Sequence, residues 1–204
     1  MKKIIITKQN KVISVSGKAY YIDDGGLPSD YRELSGIDFD SNVWYNTGEY
    51  IYGSDTVRIS FKATKSCNVF GCYSSASAQD NYSLYVSTSS SGAYLRYNGG
   101  TYNSYITTNT RYDAIITPTG SQGMKVNTTW NAKTFTTSKP FLIGSTSTGA
   151  TSSKFDGIIY GSIIIDDRLT FIPVEQISTG KIGYFLLEKE LFFENQGSGT
   201  PVEI

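Results

Sequence analysis

The 204-residue chain contains no histidine. That absence removes the commonest general base and the commonest transition-metal ligand together. Serine–histidine and cysteine–histidine nucleophile systems are excluded, as are histidine-ligated zinc sites. Cysteine is nearly absent as well, Cys67 and Cys72 being the only two. They stand five residues apart in "CNVFGC", which sends them to opposite faces of a regular strand. Each is therefore read as a buried or semi-buried thiol, not as half of a disulfide. Net charge is missing too, with 18 Lys and Arg against 18 Asp and Glu. No basic field gathers phosphates, which argues against a nucleic-acid partner. No apolar run reaches the ~18 residues of a membrane helix, so no membrane insertion is expected. The opening "MKKIIITKQNKVISVSG" has too short an apolar stretch for a secretory signal and no small-residue cleavage site. The expectation is a protein made and matured in the cytoplasm. Helical signals are scarce, since no apolar periodicity of 3.6 residues lasts three turns.

Strand signals fill the space left by helices. "TVRISFKA" sets Val57, Ile59 and Phe61 against Arg58, Ser60 and Lys62, the alternation of a half-buried strand. "NYSLYVST", "GAYLRYNG", "SYITTN", "RYDAIITP", "GMKVNTTW", "KPFLIGST", "FDGIIYGSIIID" and "RLTFIPVEQ" follow, separated by Gly, Ser, Thr and Asn clusters. Many short strands with polar turns predict an all-β, two-sheet antiparallel sandwich or jelly roll. "GIIYGSIIID" is apolar on both faces through Ile158, Ile159, Ile163, Ile164 and Ile165, as a doubly covered strand would be. The expected cover is a C-terminal hairpin over residues 180–204, turning at Glu188-Lys189-Glu190. Residues 1–26 read as two or three short strands ending at Asp23-Asp24-Gly25-Gly26, which places a domain boundary near residue 26. The main domain is then 27–204.

Catalytic chemistry finds little support. Glycan-cleaving jelly rolls carry two or three carboxylates at alternate positions on one strand, facing one cleft. Here the closely alternating pair is Glu188 and Glu190, in a turn where solvation keeps both ionised. The reading is a protein that is not an enzyme and needs no cofactor or metal. Asp23-Asp24 and Asp166-Asp167 read as turn formers. Oxygen ligands in such loops suit calcium by chemistry, but their spacing does not specify it. The aromatic excess says more: sixteen tyrosines, ten phenylalanines and two tryptophans. Tyr94, Tyr97, Tyr102 and Tyr105 crowd "YLRYNGGTYNSY" beside Arg96, Asn98 and Asn103. Rings next to amides make sugar-stacking surfaces and protein interfaces. Arg96 should face water, so Tyr94, two residues away, is the expected exposed ring. The candidate strip is Tyr94, Arg96, Asn98, Tyr102, Asn103 and Tyr105; the alternative is that half of these rings face the core.

Taken in order, the segments resemble the concanavalin A-like, laminin-G-like jelly-roll superfamily. "LPSDYRELSGIDFDSNVWYNTGEYI" resembles an early strand pattern of that group through Leu27, Pro28, Tyr31, Leu34, Tyr45, Thr47 and Gly48. "VRISFKA", "NVFGCYSS" and "NYSLYVS…AYLRYNGG" resemble the strands that follow. "MKVNTTW" resembles a further hairpin, with Thr128 where glycine is usual. The tail "RLTFIPVEQISTGKIGYFLLEKELFFENQGSGT" is similar to an extension on such domains in phage virion proteins. Phe171, Pro173, Gly180, Gly183, Phe192, Phe193, Asn195, Gly197 and Gly199 fit its pattern, and Leu186 replaces its usual aspartate. The resemblance implies a non-enzymatic virion structural protein, assembled in the host cytoplasm: a head or tail fibre, baseplate or decoration component. Its partners would be other virion proteins and host-surface glycans. The alternatives from other classes are a bacterial surface or secreted carbohydrate-binding module, and a glycan hydrolase or lyase. Ile4, Ile5, Ile6, Val12, Ile13 and Val15 lie in short strands whose edges are best paired by another chain. Residues 1–26 are therefore the expected attachment segment, and fibres of this kind favour a homotrimer.

Overall fold

The structure is a computed structural model describing residues 11–15, 18–22, 26–73, 78–87, 93–104, 106–125, 127–146 and 154–204. In chain order the strands are β1 (Lys11–Val15), β2 (Lys18–Ile22), β3 (Tyr31–Glu33), β4 (Gly36–Asp40), β5 (Tyr45–Asn46), β6 (Val57–Ala63) and β7 (Cys67–Cys72). There follow β8 (Tyr82–Val86), β9 (Ala93–Tyr97), β10 (Gly100–Ser104), β11 (Tyr112–Thr117), β12 (Gly120–Gln122), β13 (Thr128–Thr129) and β14 (Leu142–Ile143). The last five are β15 (Asp156–Ile165), β16 (Leu169–Gln176), β17 (Lys181–Leu186), β18 (Leu191–Glu194) and β19 (Val202–Glu203). A single 3-10 turn, Leu187–Lys189, joins β17 to β18, and no α-helix occurs among the described residues.

The strands form an all-β, two-sheet antiparallel sandwich. One sheet has six strands in the order β10-β9-β8-β7-β14-β5. The larger runs β13-β12-β11-β6-β15-β16-β17-β18, with β4 joined to β15, β3 to β16 and β19 to β4. The β1–β2 hairpin pairs with neither sheet among the described residues. Alternation in the sequence becomes burial: Val57, Ile59, Phe61 and Ala63 on β6 are buried while Arg58 is exposed. The two inner faces meet in an aromatic core. Phe141 contacts Phe70 at 5.5 Å and Phe171 at 5.8 Å, and Phe39 contacts Phe155 at 5.2 Å.

Three local expectations need correction. The strand signal in "SYITTN" lies one segment too late. Asn98 (φ 49) and Gly99 (φ 75) make a two-residue hairpin turn of the left-handed kind that Asn-Gly favours, so pairing begins at Gly100 and has ended by Ser104. Among its described residues "GMKVNTTW" supplies only the two-residue β13. Cys67 and Cys72 share the inner face instead of dividing between faces. The β7–β8 register slips between Asn68 and Phe70, so Val69 is an extra residue that flips the parity between them. Both thiols are free and buried, and burial pushes Cys67 up to about 11 and Cys72 to about 12.

The C-terminal hairpin exists as β17–β18, but it does not lie across the isoleucine-rich strand. It extends the larger sheet beyond β16. β15 is flanked by β6 on one side, and by β4 and then β16 on the other, and its burial alternates: Ile159, Ile163 and Ile165 are buried while Ile158 and Ile164 on the other face are only half-buried. What the hairpin covers is the end of the sandwich near β5. Tyr184 of β17 meets Tyr45 of β5 edge-on at 5.1 Å, and Phe193 of β18 meets Phe171 at 6.1 Å.

The segment after β18 acts as a clasp. Residues 41–44 carry the chain from β4 in one sheet to β5 in the other. Asn195 Oδ1 accepts the Trp44 and Gly197 N–H groups at 3.0 and 2.9 Å, and its Nδ2 donates to the Gly199 carbonyl at 2.6 Å. The Gln196 N–H donates to Trp44 O and the Gly199 N–H to Asn42 O. A Cβ on Gly197 would fall on the Asn42 carbonyl, and one on Gly199 on the Asp40 carboxylate. Gly197 is there because two backbones must touch, and Gly199 because the Asp40 and Asn42 side chains crowd it. β19 then pairs with β4, and Arg32 forks between Glu175 and Glu203.

Candidate recognition face

The outer face of the six-stranded sheet carries the site that the tyrosine-rich segment points to. Cross-strand register sets Asn68, Tyr85, Tyr94 and Asn103 in one row over β7, β8, β9 and β10. The next row along the strands holds Gly71, Ser83, Arg96 and Thr101. Because neighbouring strands pair directly, the Tyr85 and Tyr94 rings stack against one another, 6.0 Å apart and tilted by only 24°. They make a two-ring shelf. The Arg96 guanidinium sits 4.5 Å over the ring of Tyr73, just beyond β7. All four of these side chains are half-buried.

The candidate strip divides in two. Tyr94, Arg96 and Asn103 share the outer face. Asn98 is in the hairpin turn, where its backbone N–H donates to Asn81 O at 3.0 Å and its conformation closes β9 onto β10. Tyr102 is the correction. It stands opposite Leu95, on the inner side of the sheet, and packs 4.9 Å from Trp130. Alternation separates Tyr94 from Tyr102 once the turn at Asn98-Gly99 sets the register. Tyr105 lies outside the described residues. Tyr97, between Leu95 and the turn, is buried, and its hydroxyl donates to Gly53 O at 2.5 Å. Tyr102→Ala is accordingly expected to lower stability by about 2 kcal/mol, while Tyr94→Ala changes it by less than about 0.5 kcal/mol. Thermal melts of the two variants check this, and equal losses would place both rings in the core.

Of the attachment residues, Val12, Ile13 and Val15 fall on β1, whose backbone pairs only with β2 among the described residues. Ile4, Ile5 and Ile6 lie outside the described residues. Glu188 and Glu190 occupy the β17–β18 turn and are exposed; the Glu188 carboxylate accepts the Thr170 N–H at 2.8 Å. Asp166 closes the β15–β16 turn and accepts the Thr56 N–H at 2.9 Å. No group of three or more metal-ligating side chains occurs among the described residues.

Two features escaped the sequence reading. Tyr85 and Tyr73 complete the shelf, and only the strand order reveals it; the alternation in "NYSLYV" places Tyr85 opposite Leu84 but names no neighbour. At one end of the sandwich, Tyr50 and Tyr52 are exposed at 46% and 42% on either side of buried Ile51. Arg168 lies 4.8 Å over the Tyr52 ring and donates to the buried Asp55 carboxylate at 2.5 Å. The alternation in "YIY" was a legible signal for this pair of rings. The partnership of Asp55 with Arg168, from distant parts of the chain, was not.

No family model matches this chain, and no curated protein matches its sequence.

Proposed function

We propose that this protein is a non-enzymatic structural component of a phage virion, a head- or tail-fibre part or a baseplate or decoration protein. In this reading the sandwich is a concanavalin A-like jelly roll whose outer face meets host-surface glycans or other virion proteins. The observation that supports it is the clasp. Three of the residues behind the resemblance to virion jelly-roll tails, Asn195, Gly197 and Gly199, have a structural task that their type explains. Asn195 binds the Trp44 N–H and the Gly199 carbonyl, while Gly197 allows backbone contact at Asn42 and Gly199 leaves room for the Asp40 carboxylate. A tail pattern that is physically required is a better guide than scattered matching letters.

Residues 1–26 attach this domain to its neighbours, with a homotrimer as the assembly. Mass spectrometry of purified particles should find the chain in stoichiometric amount. Light scattering should give three times the chain mass for the full protein and one for residues 27–204. Absence from particles, with secretion or surface display in a bacterium instead, would replace this reading with a carbohydrate-binding module. That alternative rests on the same aromatic shelf.

A further inference from the structure

We infer that the Tyr85–Tyr94 shelf with Arg96 binds acidic glycans, sugar chains carrying a carboxylate, in preference to neutral ones. The inference rests on the glycan-contact part of the reading above and specifies its ligand class.

The charge distribution carries it. Across β5, β7, β8, β9, β10 and β14 the sequence places one charged side chain, Arg96. Some cations elsewhere are paired, Arg32 with Glu175 and Glu203, Arg168 with Asp55, Lys181 with Glu194 and Lys189 with Glu49, while Arg58, Lys62, Lys133 and Lys139 have no carboxylate partner among the described residues. No carboxylate pairs with Arg96 among the described residues. Its contact is instead the ring of Tyr73, whose centroid lies 4.5 Å from the guanidinium carbon.

Geometry then selects the ligand. The guanidinium fork matches a planar carboxylate with two parallel hydrogen bonds. Tyr94 lies two residues from Arg96 on the same face of β9, about 7 Å along the strand. With Tyr85 stacked against it, Tyr94 places aromatic surface within reach of the cation. Asn103, exposed at the end of the same row, supplies an amide for hydroxyl groups. A neutral glycan can use the rings and the amide. Only an acidic one also satisfies Arg96.

Calorimetric titration of the full chain tests this with three probes of equal length: an oligouronate, a neutral oligohexose and a polyol-phosphate oligomer. At low salt the oligouronate should bind at least tenfold tighter than the neutral chain, and the difference should narrow as salt rises, because exposed charges are screened. Arg96→Gln should abolish the discrimination, chiefly by weakening the oligouronate. Arg96→Lys should retain part of it, having charge without the fork. Tyr94→Ala should weaken both ligands. Thermal melts of each variant establish that it is folded. Equal affinity for neutral and acidic chains, unchanged discrimination in Arg96→Gln, or no binding to any of the three would overturn the inference. Tighter binding of the phosphate oligomer than of the oligouronate would overturn the carboxylate assignment. None of these outcomes bears on whether the chain is found in particles, so the virion reading stands or falls separately.

Discussion

Tyr184→Ala should lower the unfolding free energy by about 4 kcal/mol, the upper range for removing a large buried ring. Tyr184 is fully buried, and it is the contact through which β17 reaches β5 of the opposite sheet. Losing it opens a cavity at the point where the C-terminal hairpin closes the sandwich. Collapse there is restricted, because β17 is held between β16 and β18 by pairing on both edges. The contrasting variant is Tyr184→Phe. The Tyr184 hydroxyl is buried without a hydrogen-bond partner among the described residues, and burial raises its pKa well above the ordinary tyrosine value. Removing an unsatisfied polar group should leave stability unchanged or raise it by up to about 1 kcal/mol. Urea denaturation with an unchanged slope measures both. A small loss in the alanine variant would mean that the hairpin is not integral to the core. A large loss in the phenylalanine variant would show that the hydroxyl is satisfied.

The second large effect lies at the buried ion pair. Asp55 is 3% exposed, and its Oδ2 accepts from Arg168 Nη2 at 2.5 Å and from the Tyr52 N–H at 2.8 Å. Arg168→Met leaves that carboxylate buried without its counter-charge, and should lose about 3 kcal/mol near neutral pH. The pH dependence follows from the direction of the shift. Burial raises the Asp55 pKa in the folded protein, with Arg168 opposing it, so the folded state holds this proton to higher pH than the unfolded chain does. The Asp55 contribution is therefore most favourable below the unfolded pKa of ~3.9 and declines as pH rises through the folded value. Without Arg168 the opposition weakens, so the decline reaches further and ends deeper. The deficit of Arg168→Met relative to the parent should shrink as pH is lowered through the raised folded pKa values, because Asp55 then takes up its proton above the ordinary carboxylate range. Melts across that range check it. A deficit independent of pH would mean that the loss comes from packing on Tyr52, not from the stranded charge.

Both sites show where sequence reading stops. The all-β sandwich was legible because period-two alternation is a local property: Val57, Ile59 and Phe61 must share a face whatever the rest of the chain does. The turn at Glu188-Lys189-Glu190 and the outward direction of Arg96 were legible on the same ground. The faces of Cys67 and Cys72 were not, since one inserted residue in β7 reverses parity, and a bulge is visible only against the partner strand. Tyr94 and Tyr102 were grouped because they are near in sequence. The left-handed Asn98-Gly99 turn then sent them to opposite sides of the sheet. The shelf of Tyr85 with Tyr94, the clasp of Asn195 on Trp44, and the pairing of Asp55 with Arg168 join segments that are separate along the chain. Periodicity assigns a residue to a face; only the closure of the sheets decides which residues become its neighbours there, because strand order and register are set by the packing of the whole core.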